Sequence, residues 1–109
     1  MIKVFISQPM RDKTQEEILA ERKKAIDYVK GKFGDSEVID SYFEDFEIAP
    51  ETKNKPLAYL AKSISLLANA DVAVFCKDWR LYRGCKIEFD CALDYGLSIV
   101  LLEEATEDA

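Results

Sequence analysis

Residues 70–102, ADVAVFCKDWRLYRGCKIEFDCALDYGLSIVLL, decide the fold of this chain. An apolar run at 72–75 is followed by a polar loop, a helical pattern over 84–95 and a second apolar run at 97–102. Strands that are apolar on both faces are typical of parallel sheets that helices cover on both sides. The stretch therefore predicts a strand, a helix and a second strand of an α/β protein.

Glu88 departs from the packing pattern of this stretch. The helical residues that share one packed face are Gly84, Glu88, Cys91, Ala92 and Tyr95. A carboxylate on such a face costs several kcal/mol unless it is solvated or paired, and a helix N-terminus returns only about 0.3–1 kcal/mol. Two interpretations follow: Glu88 lines a ligand-binding cleft, or its side chain extends to solvent or pairs with a lysine or arginine.

The first third of the chain predicts a strand, a helix and another strand. Residues 1–6 and 36–39 are short apolar runs with β-branched side chains, which favour strands. Between them, Thr14 and Glu17 have the spacing of a capping box and predict the start of a helix. Gly34 predicts the end of that helix.

A long irregular segment precedes the next helix. Residues 40–55 carry five acidic and three aromatic side chains, and connections of this length are usually functional or mobile. The segment is either a lid over a cleft, with Tyr42 among its aromatic residues, or a surface excursion packed onto the core. Pro56 then suits the first turn of a helix that ends at Asn69.

This alternation predicts one α/β domain over residues 1–109, with an acidic tail at 103–109. We expect an open, mostly parallel sheet of four or five strands with helices on both faces, as in flavodoxin-like and Rossmann-like folds. Ligands of such sheets bind beyond the carboxyl ends of the strands. The segments that meet at this edge are residues 7–11, 40–43 and 77–88.

Composition narrows the class of partner. The chain has 109 residues and a net charge of −6, without clustered lysines and arginines, which argues against binding to a nucleic-acid polymer. No apolar run approaches the roughly 18 residues that span a bilayer, and the N-terminus has a strand pattern instead of a signal peptide. We therefore expect a soluble, cytoplasmic protein that binds no membrane.

The absence of histidine limits the possible chemistry. The chain has no histidine, and its three cysteines lack metal-binding spacing, so no metal site is predicted. The loop after the first strand lacks the glycines of a phosphate-binding or dinucleotide fingerprint, and we predict no cofactor. Acid–base chemistry must come from carboxylates, tyrosine, lysine or water. We expect any phosphate to bind at the helix start near Arg11.

The motifs FISQPMRDKT at 5–14, ADVAVFCKDW at 70–79, RGCKIE at 83–88 and YG at 95–96 together resemble the nucleoside 2-deoxyribosyltransferase-like superfamily. Small bacterial and phage members are the most similar, and deoxynucleoside monophosphate N-glycosidases are related. The resemblance implies cleavage of the N-glycosidic bond of a 2-deoxynucleoside or its 5′-monophosphate, with water or another base as acceptor. It makes Glu88 the nucleophile, which we expect to be ionised at neutral pH.

Other positions depart from the pattern of this superfamily. Tyr82 stands where the transferases have an aspartate, and Ser63 falls near a second family aspartate. Phe5 replaces the tyrosine that orients the nucleophile, whereas Arg11 matches a loop arginine of the monophosphate-hydrolysing relatives. These replacements favour a nucleotide-binding or sensing module without catalysis as one alternative to an enzyme. The acidic and aromatic segment 40–55 leaves an interaction domain as another.

The candidate catalytic residues are Glu88, Asp78 and Tyr82, where the last two are possible proton donors to the leaving base. The candidate substrate-binding residues are Phe5, Ser7, Gln8, Pro9, Met10, Arg11, Asp40, Tyr42, Ser63, Trp79 and Gly84. Trp79 either stacks on a nucleobase or packs over the end of the sheet. Burying a ligand at the open edge of a small sheet favours a second subunit, so we expect a homodimer or a larger homo-oligomer.

Overall fold

The computed structural model of the chain describes residues 1–41 and 48–103. Its elements, in chain order, are β1 (Ile2–Ser7), α1 (Gln15–Phe33), β2 (Ser36–Val38), α2 (Lys55–Leu67), β3 (Val72–Phe75), α3 (Arg83–Asp94) and β4 (Ser98–Leu101). A short 3₁₀ helix, Trp79–Leu81, precedes α3. The sequence predicted every strand and α-helix of this order to within two residues at each end, but not the 3₁₀ turn.

The four described strands are all parallel and lie in the order β2-β1-β3-β4. The chain therefore moves from β1 to β2 on one side and then crosses back to β3 on the other side of β1. In open α/β sheets this change of direction leaves a crevice beyond the carboxyl ends of the two central strands. The register places Ser7, the last residue of β1, opposite Phe75, the last residue of β3. The predicted open parallel α/β fold is confirmed.

Alternate residues of the central strands build a core on each face of the sheet. On one face, Val4 and Ile6 cluster with Ala25 and Val29 of α1, and Cys76 is fully buried beside them. The cluster on the other face packs against α2 and α3 and contains Phe5, Leu67, Ala73, Phe75, Trp79, Cys85 and Ala92. Because helices cover both faces, the strands have the continuous apolar sequences from which they were predicted.

Local hydrogen bonds set the helix ends. The Thr14 hydroxyl accepts from the backbone N–H of Glu17 at 3.1 Å, and the Glu17 carboxylate accepts from the backbone N–H of Thr14 at 3.2 Å. This reciprocal pair is the predicted capping box. Gly34 ends α1 with a φ of 68°, in the left-handed region that favours glycine. Asn54 caps α2 by accepting from the N–H of Leu57 at 3.0 Å.

Trp79 packs over the end of the sheet. Its ring stacks on Phe89 with a centroid distance of 4.4 Å, and Phe75 lies 5.4 Å away. The guanidinium of Arg80 covers the Trp79 ring at 4.7 Å, and only 8% of the tryptophan is exposed. Of the two roles predicted for Trp79, the structure therefore places it in the packing role.

We expect Trp79→Ala to lower the free energy of unfolding by about 3–5 kcal/mol, because it empties a large volume of the core. Leu81 is 75% exposed in the same 3₁₀ turn, and Leu81→Ala should change stability by less than about 0.5 kcal/mol. Urea denaturation followed by circular dichroism measures both variants without relying on tryptophan fluorescence. Equal losses in the two variants would contradict the packing role.

Candidate active site

A cavity of about 430 Å³ opens in the crevice beyond β1 and β3. Such a volume is within the range of small-molecule sites. We call it the Glu88 cavity. The predicted site residues that line it are Phe5, Ser7, Gln8, Pro9, Met10, Ser63, Tyr82, Gly84 and Glu88. The edge predicted at the carboxyl ends of the strands thus holds a cavity that brings together residues of β1, α2 and α3, which are far apart in the sequence.

Glu88 lies in the second turn of α3 and is only 7% exposed. Its Oε1 accepts a hydrogen bond from the Ser7 hydroxyl at 2.7 Å. Within residues 1–41 and 48–103, no lysine or arginine forms an ion pair with this carboxylate. Of the two interpretations of Glu88, the structure therefore favours the cleft over the ion pair.

Burial raises the pKa of Glu88 from 4.5 to about 7. The hydroxyls of Ser7 and Ser63 favour the charged form but only partly oppose this effect. A pKa shift of this size corresponds to a free-energy cost of about 3 kcal/mol for ionising Glu88. This cost exceeds the roughly 0.3–1 kcal/mol by which a helix N-terminus stabilises a negative charge. Burial therefore opposes the ionisation expected of Glu88 at neutral pH, because it raises the pKa of this carboxyl into the neutral range.

Gly84 lies one helical turn before Glu88 and also lines the cavity. A Cβ added at Gly84 would meet Cδ1 of Leu60 at 4.0 Å, which is an ordinary van der Waals contact. Packing therefore does not require glycine at this position. Its lack of a side chain contributes open space to the wall of the cavity.

A second cavity, of about 440 Å³, adjoins the first, and we call it the arginine cavity. The residues that line both are Pro56, Leu60, Tyr82 and Gly84. Arg11 and Arg83 belong to the second lining alone, together with Asn54. The guanidinium of Arg11 lies 5.9 Å from the centre of the Tyr82 ring, and the Tyr82 hydroxyl donates to the Arg11 carbonyl at 3.5 Å. Two arginines thus lie beside the Glu88 cavity, and the sequence prediction included only Arg11.

Gln8 is held by α1. Its Nε2 donates to the carbonyl of Ile18 at 2.6 Å, and its Oε1 accepts from Arg22 at 3.4 Å. Arg22 is buried and also donates to the Ser41 hydroxyl and the Ile39 carbonyl. Gln8 was predicted to bind substrate, but its amide already bonds within the protein. The sequence prediction missed the role of Arg22, since it occupies an ordinary position of the α1 stripe.

Other predicted residues lie away from the Glu88 cavity. Asp40 and Asp78 are exposed and do not line it. Asp78 adopts a φ of 65° just before the 3₁₀ turn, and Asp40 lies close enough to Arg22 to raise the pKa of that guanidinium against the larger effect of burial. Tyr42 lies outside the described residues. Glu88 is therefore the one carboxylate that lines the cavity in the described part of the chain, and the assignment of Asp40 and Asp78 to the site is corrected.

No helix in residues 1–41 or 48–103 combines the length and apolar character that a membrane crossing requires. In the same two ranges, no three histidine, cysteine, aspartate or glutamate side chains lie close enough together to hold a metal ion.

Comparisons with protein-family models, with curated proteins and with solved structures found no match to this chain. The resemblance drawn from the sequence motifs therefore stays a prediction. The chemistry of the site has to be argued from its geometry.

The raised pKa of Glu88 predicts how stability depends on pH. A carboxyl whose pKa is higher in the folded than in the unfolded state makes unfolding easier as pH rises between the two values. From about pH 4.5 to 7, Glu88 should therefore lower the free energy of unfolding by about 3 kcal/mol in total. Glu88→Gln should remove this contribution and be more stable than the wild type at pH 8.

Urea denaturation of both proteins at pH 4.5, 7 and 8 measures this contribution. All other carboxylates titrate in both chains, so the difference in unfolding free energy isolates Glu88. A difference that stays constant with pH would contradict the buried, uncompensated carboxyl.

Proposed function

We propose that this protein cleaves the N-glycosidic bond of a 2-deoxynucleoside 5′-monophosphate or of the free 2-deoxynucleoside, with Glu88 as the nucleophile. The observation that carries the proposal is a buried carboxylate without an ion pair, fixed by Ser7 in the wall of a cavity of about 430 Å³. The resemblance of the sequence motifs to deoxyribosyltransferases supports the same chemistry.

The ionised form of Glu88 attacks C1′ of the sugar while the bond to the base breaks. Water or a second base then attacks the same carbon and releases the carboxylate. A carboxylate that is shielded from water interacts strongly with the positive charge that develops on the sugar ring. Because this step needs the charged form, the rate is expected to rise with pH through the pKa of about 7.

The leaving base needs a proton. No second carboxylate lines the Glu88 cavity among the described residues, so Tyr82 or water fills this role in the proposal. The proposed proton donor therefore distinguishes this site from glycosidase sites in which two carboxyl groups act, one as nucleophile and one as acid.

The arginine cavity supports the monophosphate as substrate. Arg11 and Arg83 line it, and it shares the wall residues Tyr82 and Gly84 with the Glu88 cavity. Guanidinium groups bind phosphate oxygens with charge-assisted hydrogen bonds. In a chain with a net charge of −6, two arginines beside one cavity provide a local attraction for an anion.

A nucleotide-binding module without turnover is the second candidate. The absence of a second cavity-lining carboxylate in residues 1–41 and 48–103 favours it. Phe5 favours it as well, since this position supplies no hydroxyl to the site. Tight binding of a nucleotide without base release would select this candidate.

Incubation with a panel of 2-deoxynucleosides and their 5′-monophosphates, with chromatography of the released base, tests the proposed reaction. We expect release by the wild type, increasing from pH 6 to pH 8, and a loss of about a thousandfold or more in Glu88→Ala. Asp78→Asn changes a carboxylate outside the cavity and should retain the rate within about twofold. Unchanged release in Glu88→Ala would contradict the assignment.

We expect Arg11→Ala to raise KM for monophosphates by roughly 10- to 100-fold, because a charge-assisted hydrogen bond contributes about 1.5–3 kcal/mol. The KM for free deoxynucleosides should not change. Arg80→Ala removes the same charge outside both cavity linings and serves as the control. Equal effects of Arg11→Ala on both substrate classes would count against phosphate binding in the arginine cavity.

A further inference from the structure

We propose that Ser7 is a positioning residue for Glu88: its hydroxyl holds the carboxylate in one orientation at the wall of the Glu88 cavity. The catalytic meaning of this inference rests on the proposed function. The hydrogen bond itself, and its effect on the titration of Glu88, do not.

Ser7 is fixed by the sheet. It is the last residue of β1, it is 1% exposed, and its carbonyl accepts from the backbone N–H of Cys76 at 3.0 Å. Its side chain reaches Glu88, which is 81 residues away in sequence, at an Oγ–Oε1 distance of 2.7 Å. This is a hydrogen bond of ordinary length between two oxygen atoms. A donor attached to the central sheet therefore restrains a side chain of α3.

The proton of this hydrogen bond has one possible direction when Glu88 is charged. A carboxylate only accepts, so the Ser7 hydroxyl donates and its oxygen remains available as an acceptor. The thiol of Cys85 interacts with this hydroxyl, and burial raises the pKa of Cys85 to about 11. Cys85 therefore keeps its proton at neutral pH, and a neutral thiol is a weaker acceptor than a carboxylate. The Ser7 proton is consequently directed to Glu88 rather than to the Cys85 sulfur.

Few other groups near Glu88 could hold its carboxylate in one orientation. The ionisable residues that line the cavity beside Glu88 are Cys85 on its own helix, Tyr82 just before that helix, and Tyr59 on α2. β1 adds no ionisable side chain to this lining. Ser63 on α2 favours the charged form, but only Ser7 forms a hydrogen bond of ordinary geometry with Glu88 in the described part of the chain.

Phe5 lies two residues before Ser7 in β1, so the two side chains are on the same face of the strand. Its ring belongs to the core and carries no hydroxyl. Ser7 is thus the position of β1 that supplies a donor to the cavity wall. Fixing one oxygen of Glu88 limits rotation of the carboxylate and reduces the ordering required to reach the attacking geometry.

Nuclear magnetic resonance of the Glu88 side-chain carboxyl carbon, titrated from pH 4 to pH 10, tests the inference without any substrate. The wild-type midpoint is expected near 7. In Ser7→Ala the midpoint should rise by roughly one to two pH units, because a buried carboxylate loses a charge-assisted donor.

Ser41→Ala is the matched control. Ser41 is also a buried serine that lines the Glu88 cavity, but its hydroxyl donates to the carbonyl of Ile6 at 2.9 Å. Its loss should leave the Glu88 midpoint unchanged. An unchanged midpoint in Ser7→Ala, or equal shifts in both variants, would overturn the inference. Ser7→Cys, with a weaker donor of similar shape, gives the same test if Ser7→Ala does not fold, and it should shift the midpoint in the same direction.

Kinetics separate the inference from the proposed function. If the wild type releases base, Ser7→Ala should lower kcat roughly 10- to 100-fold with little change in KM, and the acid limb of kcat/KM should move with the titration midpoint. Ser7→Thr retains the hydroxyl and should restore both. If the wild type releases no base, the proposed function fails, while the shift of the Glu88 midpoint still decides the role of Ser7.

Discussion

A carboxylate lies almost without solvent at the switch point of a small parallel sheet, and one hydrogen bond from the end of β1 restrains it. Desolvation of Glu88 outweighs the stabilisation from Ser7 and Ser63, so its pKa rises to about 7. Native proteins rarely retain such a group in a position that an apolar side chain could fill. The strand register, the crossing from β2 to β3 and the start of α3 all place it there, and the cavity forms around it.

Two ionisable side chains are buried near the carboxyl ends of the strands, and they differ in the number of their hydrogen-bond partners. Arg22, on the α1 side, donates to three acceptors, on Gln8, Ser41 and Ile39, which link the end of β1 to the residues after β2. Glu88, on the α2 and α3 side, has one close donor. A buried charge with several hydrogen-bond partners is typical of a structural role, whereas one with few partners beside a cavity is typical of a functional site. The charge that is poorly compensated is therefore the better candidate for chemistry.

The fold could be predicted because each element has its own periodicity and end signals. Continuous apolar runs marked the strands, and Thr14 and Gly34 marked α1. Glu88 could be found because it breaks the pattern of its helix. The protonation state of Glu88 could not be predicted, since its desolvation depends on the residues that surround it in the folded protein. The same limit applies to side chains in loops and at helix ends: no periodicity indicates that Gln8 bonds to α1, that Asp78 stays in solvent, or that Arg83 lines the same cavity as Arg11.

The two buried thiols have a practical consequence. Cys76 adjoins the last residue of β3 and Cys85 lies beside Ser7, and burial raises their pKa values to about 12 and 11. Alkylating reagents attack the thiolate, so both cysteines resist modification while the sheet edge stays closed. Their rate of alkylation consequently reports how often the buried ends of β1 and β3 open, with one thiol on each face of the sheet, whereas Cys91 is only half-buried.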